Sequence, residues 1–565
     1  MAAPRLHPLD PLWFIGMPGV VATFFALRTQ PEAIQLDWLI RWDGLFLAIC
    51  ALLIGIGLLF SATTMRTQVR QLLPGRLILL IPTCILTASL LTALIAPQTH
   101  RLFYDETIYL NIGQNLAHLD RAQLCNAGGT EHGLFFCEQG EYNKQPNGYP
   151  FLISLVFRLF GVSETAIFLM NNLLLGLMAA GSLLLTLSLG ASLRAGLCAA
   201  GVVMFNPIHL HWFNTTAAEP AASFTVALAI AAALLLRATP TPSGWLLTSA
   251  TTAFALTFRP ESLLLLPLIA FILWPKMREQ PRAFLASLTL LLFLTLPHAL
   301  HLDLFRRHPW GSSNEAFAIA NLATNLTTNG LFYLDNRLFP LPFTLLALLG
   351  LFVSNARFAP RALLGVWFLL FWGVFLFFYA GSYQYGADVR FALLSALPLA
   401  LLAGFGAEWC ITRLTRLTTI TTRRATLLMV ALLGCATLPF LPYVRAETRE
   451  AASARADVAF ARQMARLVPK DAFILTHNPN LFQLWGLHAG QLSLISTNPD
   501  YVNLLLLARH PNAVYFHDNF WCHVSDPKQS GFCRKARELY DLEEIVRFQA
   551  ENRSFGLYKI KLTKQ

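Results

Sequence analysis

Charge is what this chain has least of. Asp, Glu, Lys and Arg make up only 13% of its 565 residues, while 55% are hydrophobic and the mean hydropathy is +0.52. A soluble protein of this size carries roughly 25% charged residues, so a water-soluble globular chain is excluded. Cysteine is sparse, at nine residues, and no internal repeat or low-complexity tract is visible. Acids are nearly missing from the interiors of the apolar runs. A transporter or flippase for lipid-linked sugars would put ionisable groups there and would show an inverted repeat, so both absences argue against that class.

What fills the chain instead is a series of apolar runs, each able to cover a hydrocarbon core of about 30 Å. Thirteen spans are expected, near 11–27, 45–62, 77–96, 165–189, 195–213, 220–236, 243–258, 261–275, 284–300, 341–354, 362–380, 390–409 and 425–443. No small-residue cleavage site follows the first run, which therefore reads as a span and not as a removed signal peptide. Every second connection is short and basic. Arg66, Arg70, Arg76, Arg194, Arg237, Lys276, Arg278, Arg282, Arg357, Arg361, Arg413, Arg416, Arg423 and Arg424 stand there against one acid, Glu279. The positive-inside bias makes these connections cytoplasmic. The N-terminus is then inside and the C-terminal region outside, in a multi-pass membrane protein of the plasma membrane, on this reading the inner membrane of a bacterium. The net charge of +11 reflects that topology, and nothing points to nucleic acid.

Cysteine placement agrees. Cys50, Cys84, Cys198, Cys410 and Cys435 lie in or beside apolar runs and read as small hydrophobes. Cys125 with Cys137, and Cys522 with Cys533, fall in polar segments assigned to the outside. Close pairs there suggest disulfides in a periplasm or organelle lumen, the alternative being four free thiols.

Three regions follow: two N-terminal transmembrane helices over 1–76, a transmembrane core over 77–445 with an outer loop at 97–149, and a soluble α/β domain over 446–565. Apolar periodicity in the outer loop predicts a helix from Asp105 to about Leu119. Pro150 to Phe160 is too short to span and reads as an interfacial helix, with Arg158 reaching back to water. In the last region, strands are predicted at Ala472–Thr476, Leu492–Ile495 and Ala513–Phe516, between helices near 449–468, 500–509 and 534–541.

The acidic pair Asp105-Glu106 stands directly after an apolar span, in Phe103-Tyr104-Asp105-Glu106-Thr107-Ile108-Tyr109. Acids also favour a helix's first turn by about 0.3–1 kcal/mol, so a purely local role is the competing reading. Glycosyl transfer to a hydroxyl needs a base for its proton, and a carboxylate can serve. A phosphate leaving group needs cations and no proton donor. His209 with His211 and His298 with His301 invite a zinc reading, but their spacing offers no third ligand.

Tyr104-Asp105-Glu106-Thr107-Ile108-Tyr109, followed by Asn115-Leu116-Ala117, resembles the first-loop motif of the C-type glycosyltransferase superfamily. The nearest branch is that of protein O-mannosyltransferases and the lipid A aminoarabinose transferase. Lys144-Gln145-Pro146-Asn147-Gly148-Tyr149-Pro150 resembles that branch's Lys-Pro-Pro segment, with Gln145 as a departure between lysine and proline. Phe258-Arg259-Pro260-Glu261 resembles its Thr-Arg-Pro-Glu-Gly break between spans, and Asp388-Val389-Arg390-Phe391 its Arg-Tyr stretch opening a late span. The ordered set covers roughly residues 77–443.

The resemblance implies an integral-membrane glycosyltransferase acting on the extracytoplasmic face. It implies a polyprenyl-phosphate-linked sugar as donor, a protein, lipid or glycan as acceptor, and membrane lipids around the spans. Asp105 would be the general base, and Glu106 would orient it or help hold a divalent metal, which some members use and others do not. Lys144, Arg259 and Arg390 would contact the carrier's phosphate, with Glu219 as a second outer acid and Tyr149 as part of the substrate-binding segment. An oligosaccharyl transferase of the same superfamily and a non-catalytic assembly protein are the other readings.

Overall fold

A peptide group buried in apolar surroundings must be hydrogen-bonded within its own segment, and the apolar runs of this chain accordingly form helices. The computed structural model describes residues 10–307, 316–336, 339–354, 357–383, 388–447, 449, 451–509, 511–550 and 553–561. It divides into two units. One comprises residues 1–35, 45–99 and 165–446, the other 36–44, 100–164 and 447–565.

The first unit is helical. The thirteen expected spans are largely helical, but several are broken, 195–213 and 284–300 each into two helices. Among the described residues, eight helices are long and apolar enough to cross a membrane, or nine if Pro281–Leu294 and Leu296–Arg306, bent by 54°, form one span. The expected count of thirteen is therefore not reached by length. Leu193–Phe205 has 13 residues and Leu341–Phe352 has 12, and at 1.5 Å per residue such helices rise only about 20 Å. Apolarity and periodicity mark a helix but do not measure how much of a run stays helical. In 195–213, Asn206 leaves the helix, and its side chain accepts a hydrogen bond from the Ile208 N–H to start the next one. Packing within the unit relies on small residues, as expected where lipid and side chain are equally apolar. Gly350 and Gly406 lie where Leu341–Phe352 crosses Leu393–Leu417. A Cβ at Gly350 would stand 1.8 Å from the Leu402 carbonyl oxygen, and one at Gly406 1.9 Å from that of Leu346.

The second unit is built on one seven-stranded sheet. Its strands are β1 (Leu124–Glu131), β2 (Leu134–Glu141), β3 (Phe473–Thr476), β4 (His488–Gln491), β5 (Val514–Asp518), β6 (Asp541–Ala550) and β7 (Arg553–Lys561), in the order β2-β1-β4-β3-β5-β7-β6. The central β4-β3-β5 trio is parallel and the flanking pairs are antiparallel. Successive strand residues face opposite sides. Phe473 and Leu475 therefore join one buried layer with Phe516 and Ile495, while Ile474 joins the other with Phe482, Tyr515 and Leu557.

The sequence reading keeps loop 97–149 with the membrane core, whereas the contacts group residues 100–164 with 447–565. The reason is register: Ala127 and Gly128 of β1 pair with Gly490 and Ala489 of β4, so the loop's hairpin extends the C-terminal sheet. The helix Asp105–Leu119 forms as expected. Leu494–Thr497 is helical where a strand is predicted, and the strand lies earlier, at β4. Arg158 is exposed, as expected, and also has protein partners. It donates to the Leu116 carbonyl at 2.7 Å and pairs with Asp120, closing the end of the Asp105–Leu119 helix.

Candidate active site

The two neighbouring carboxylates have opposite environments. Asp105 opens its helix half-buried and lines a cavity of about 520 Å³ in the second unit, together with Glu141, His477, Asn478, Gln491, Trp521 and Lys528. This cavity gathers residues that follow the carboxyl ends of β3 and β4, where ligands of open sheets with parallel strands bind. Glu106 is fully buried. Its Oε1 accepts the backbone N–H groups of Arg101 (2.6 Å) and Leu102 (3.0 Å), and its Oε2 lies 3.1 Å from His100 Nδ1. Burial pushes this carboxyl's pKa up, but the charge and hydrogen bond of His100 and the two N–H donors outweigh that and hold it at about 2. Burial opposes the charged form of His100 as well, yet Glu106 and then Glu164 raise its pKa above the ordinary 6.5. Glu106 thus anchors the segment that delivers Asp105.

A second support reaches the same helix start from the C-terminal part of the unit. Tyr104 Oη donates to Asp457 Oδ2 at 2.5 Å, and Asp457 Oδ1 lies 3.2 Å from His517 Nε2; both Asp457 and His517 are fully buried. His517 Nδ1 is 3.0 Å from Thr476 Oγ1, and Asn480 donates to Thr107 Oγ1 at 3.0 Å. Residues 104 and 107 are therefore pinned on either side of Asp105. No sequence signal pointed to Asp457 or His517, because the partners that give them a role, Tyr104 for Asp457 and Asp457 for His517, lie far away in the chain.

Lys144 is exposed and is not among the residues lining the Asp105 cavity. Tyr149 is fully buried and packs edge-on to Tyr109, their centroids 5.7 Å apart. Both expected disulfides form, Cys125–Cys137 and Cys522–Cys533, and the other five cysteines are free.

In the first unit, three of the expected residues converge. Glu219 opens the helix Glu219–Ala238, Arg259 precedes the turn Pro260–Leu264, and Arg390 lies in the turn Asp388–Ala392. One oxygen, Glu219 Oε1, receives both Arg259 Nη1 (3.1 Å) and Arg390 Nε (2.8 Å). Arg259 Nε also bonds Glu261 Oε1 at 2.9 Å. The ring of Phe391 lies beneath both guanidinium groups, 5.4 and 4.7 Å from their carbons. Glu219 is fully buried, and its Oε2 has no hydrogen-bond partner among the described residues. The sequence marked these residues singly; the shared oxygen and the Phe391 platform were not visible in it. Among the histidines of this unit, His209 Nδ1 meets the Val203 carbonyl at 3.0 Å.

The sequence model of the dolichyl-phosphate-mannose-protein mannosyltransferase family matches residues 144–301. Two solved structures match over most of their length. ArnT from Cupriavidus metallidurans in the apo state has a TM-score of 0.55 at 11% identity, covering 85% of this chain and 97% of that one. The same protein bound to undecaprenyl phosphate has a TM-score of 0.54 at 12% identity, again covering 85% and 97%. The chain shares the fold of that protein. A comparison with curated proteins found no match. The family match takes in Lys144, Tyr149, Glu219 and Arg259, while Asp105 and Arg390 lie outside it.

Among the described residues, the one cluster of three metal-ligating side chains is His477, Cys522 and Cys533, and its two cysteines are joined to each other. Both oxygens of Glu106 are engaged by the His100–Leu102 segment.

Proposed function

We propose that the chain is an integral-membrane glycosyltransferase that moves a sugar from a polyprenyl-phosphate carrier to an acceptor hydroxyl, with inversion at the anomeric carbon. The observation that carries this reading is the pair of arginines held on one buried carboxylate oxygen. An arginine at membrane depth costs about 2.5–3.5 kcal/mol. Glu219 offsets that cost while leaving Arg259 and Arg390 side by side over Phe391. Two guanidinium groups fixed in this way suit the non-bridging oxygens of a carrier phosphate, including the charge it gains as the glycosidic bond breaks. The free lone pairs of Glu219 Oε2 suit a hydroxyl of the donor sugar. The family description and the lipid phosphate bound to the similar ArnT fold support a donor of this class.

Asp105 is the proposed base. Its carboxylate accepts the acceptor's hydroxyl proton as the oxygen attacks, and the carrier phosphate leaves with the electron pair of the broken bond. Glu106 does not share this task, since its carboxylate is spent on loop geometry. Lys144, exposed near the start of the helix Gly148–Phe160, adds a cation for the incoming phosphate. The basic connections support an extracytoplasmic side for the Asp105 unit.

The test is in vitro transfer from a panel of polyprenyl-phosphate sugars. Asp105→Asn should abolish turnover and leave carrier binding nearly intact, whereas Arg390→Gln should weaken carrier binding. Normal turnover by both variants would remove the assignment.

A further inference from the structure

A second cavity of this unit, larger than the one Asp105 lines, has no part in this reaction scheme. It measures about 1080 Å³ and is walled by the β1–β2 turn, the segment after Ala452–Met464, and residues around Trp485. That volume stands at the upper end of small-molecule sites, roughly 300–1,000 Å³. Phe473, at the start of β3, lines it, while His477, just past the end of β3, lines the Asp105 cavity. Four residues of strand separate the two, about 13 Å at some 3.3 Å per residue. The groove is therefore a separate site at the opposite ends of the same strands.

Its chemistry is mixed. Glu131 and Asp471 line it together with Arg466 and Lys470, and the half-buried indole of Trp485 adds an aromatic surface. Trp485 is held in place: the Arg462 guanidinium lies 5.3 Å from its ring centre and is itself fixed on Glu164 at 2.6 Å. The lining holds a third cation, Arg462, but that one is neutralised by Glu164; the two charges of each sign that remain do not select an anion. Planar carboxylate acceptors and cationic donors beside an indole suit a molecule with many hydroxyls and one apolar C–H face. An extended peptide is disfavoured, because β1, β3 and β4 are all interior to the sheet and offer no free edge for strand addition.

We propose that this groove is a glycan-binding subsite that takes a neutral oligosaccharide. The further statement that this glycan is part of the acceptor rests on the transferase reading above; the binding itself does not. The test is calorimetric titration of the full-length chain in phosphatidylcholine nanodiscs with chitotriose and maltotriose, beside a Ser/Thr-rich hexapeptide and inorganic phosphate. A trisaccharide should bind in the millimolar range or tighter, and Trp485→Ala should weaken it by about tenfold or more. Trp485→Phe should keep much of the affinity, and the paired Glu131→Gln, Asp471→Asn variant should lower it without touching the ring. Binding of neither trisaccharide, unchanged binding by Trp485→Ala, or preference for the peptide or phosphate would overturn the proposal. Polyprenyl phosphate is titrated into the same preparations. Carrier binding that is insensitive to Arg390→Gln, with trisaccharide binding intact, would sink the transferase reading alone. Loss of trisaccharide binding, with carrier binding normal, would sink only the groove.

Discussion

If Glu219, Arg259 and Arg390 form a phosphate site and not merely an internal ion cluster, two substitutions must move carrier affinity in opposite directions. Arg390→Gln removes one charged donor. A hydrogen bond to a charged group contributes about 1.5–3 kcal/mol, and each 1.4 kcal/mol is tenfold in Kd, so polyprenyl phosphate should bind roughly 10–150 times more weakly. Glu219→Gln removes a negative charge that the incoming phosphate must face behind the guanidinium groups. At an effective dielectric of 20 and a separation of about 6 Å, that repulsion is at most about 3 kcal/mol. Part is lost because a neutral amide in place of the carboxylate would hold the arginines less firmly, leaving a gain in affinity on the order of tenfold.

Stability does not follow the same pattern. Breaking a buried pair costs about 3–5 kcal/mol because a charge is left without its partner, so both variants should melt earlier than wild type. A cluster with only a structural role would lower both melting temperatures and leave Kd alone. The assay is therefore Kd for polyprenyl phosphate in nanodiscs, read beside Tm. A change of under about twofold in both variants, or a shift in the same direction in both, would refute the phosphate assignment.

The His100–Glu106 pair makes stability pH-dependent in two windows. The Glu106 contribution is present above its ordinary pKa of 4.5 and lost as pH falls toward about 2. The His100 contribution is complete below 6.5 and lost as pH rises through its elevated pKa. Tm should thus decline as pH rises above 6.5, and His100→Asn should flatten that decline; an unchanged slope would rule the pair out as its source. Tyr104→Phe and Asp457→Asn should lower kcat while leaving acceptor KM and carrier Kd nearly constant, since they act on where Asp105 stands; a change confined to Tm would show that the network only supports the fold. Reducing the Cys125–Cys137 bridge, which spans 12 residues, should destabilise the sheet unit by about 3 kcal/mol, read as an earlier protease-sensitivity transition.

Local physics made part of this molecule readable in advance. The helix Asp105–Leu119 follows from apolar spacing and two acids in its first turn, and it forms with those bounds. The apolar runs mark helices because nothing else satisfies their backbone in lipid. The sheet was only partly readable. β1 is Leu-Cys-Asn-Ala-Gly-Gly-Thr-Glu and β4 is His-Ala-Gly-Gln, both rich in residues depleted from strands. They are strands because Ala127 meets Gly490, a pairing more than 350 residues apart that no window of sequence contains. The predicted strand at Leu492–Ile495 failed for the complementary reason: its apolar run packs as a helical turn with Ile495 fully buried in the sheet's core layer.

The same distinction separates the candidate residues that composition could flag from the arrangement that gives them work. Asp105 and Glu106 are equivalent as letters, yet one lines a cavity and the other has both oxygens engaged by backbone N–H groups and an imidazole. An exchange therefore tests them asymmetrically. Glu106→Gln keeps an acceptor for the two N–H groups but loses the ion pair with His100, so it should act mainly on Tm, and the decline in Tm with rising pH should shrink with it. Asp105→Asn leaves that anchoring in place and removes the only group in the pair that can take a proton from an acceptor, so it should act on turnover alone. Turnover lost equally in both variants, with Tm unchanged in both, would mean that the pair acts as one unit and that the division of labour drawn from their burial is mistaken.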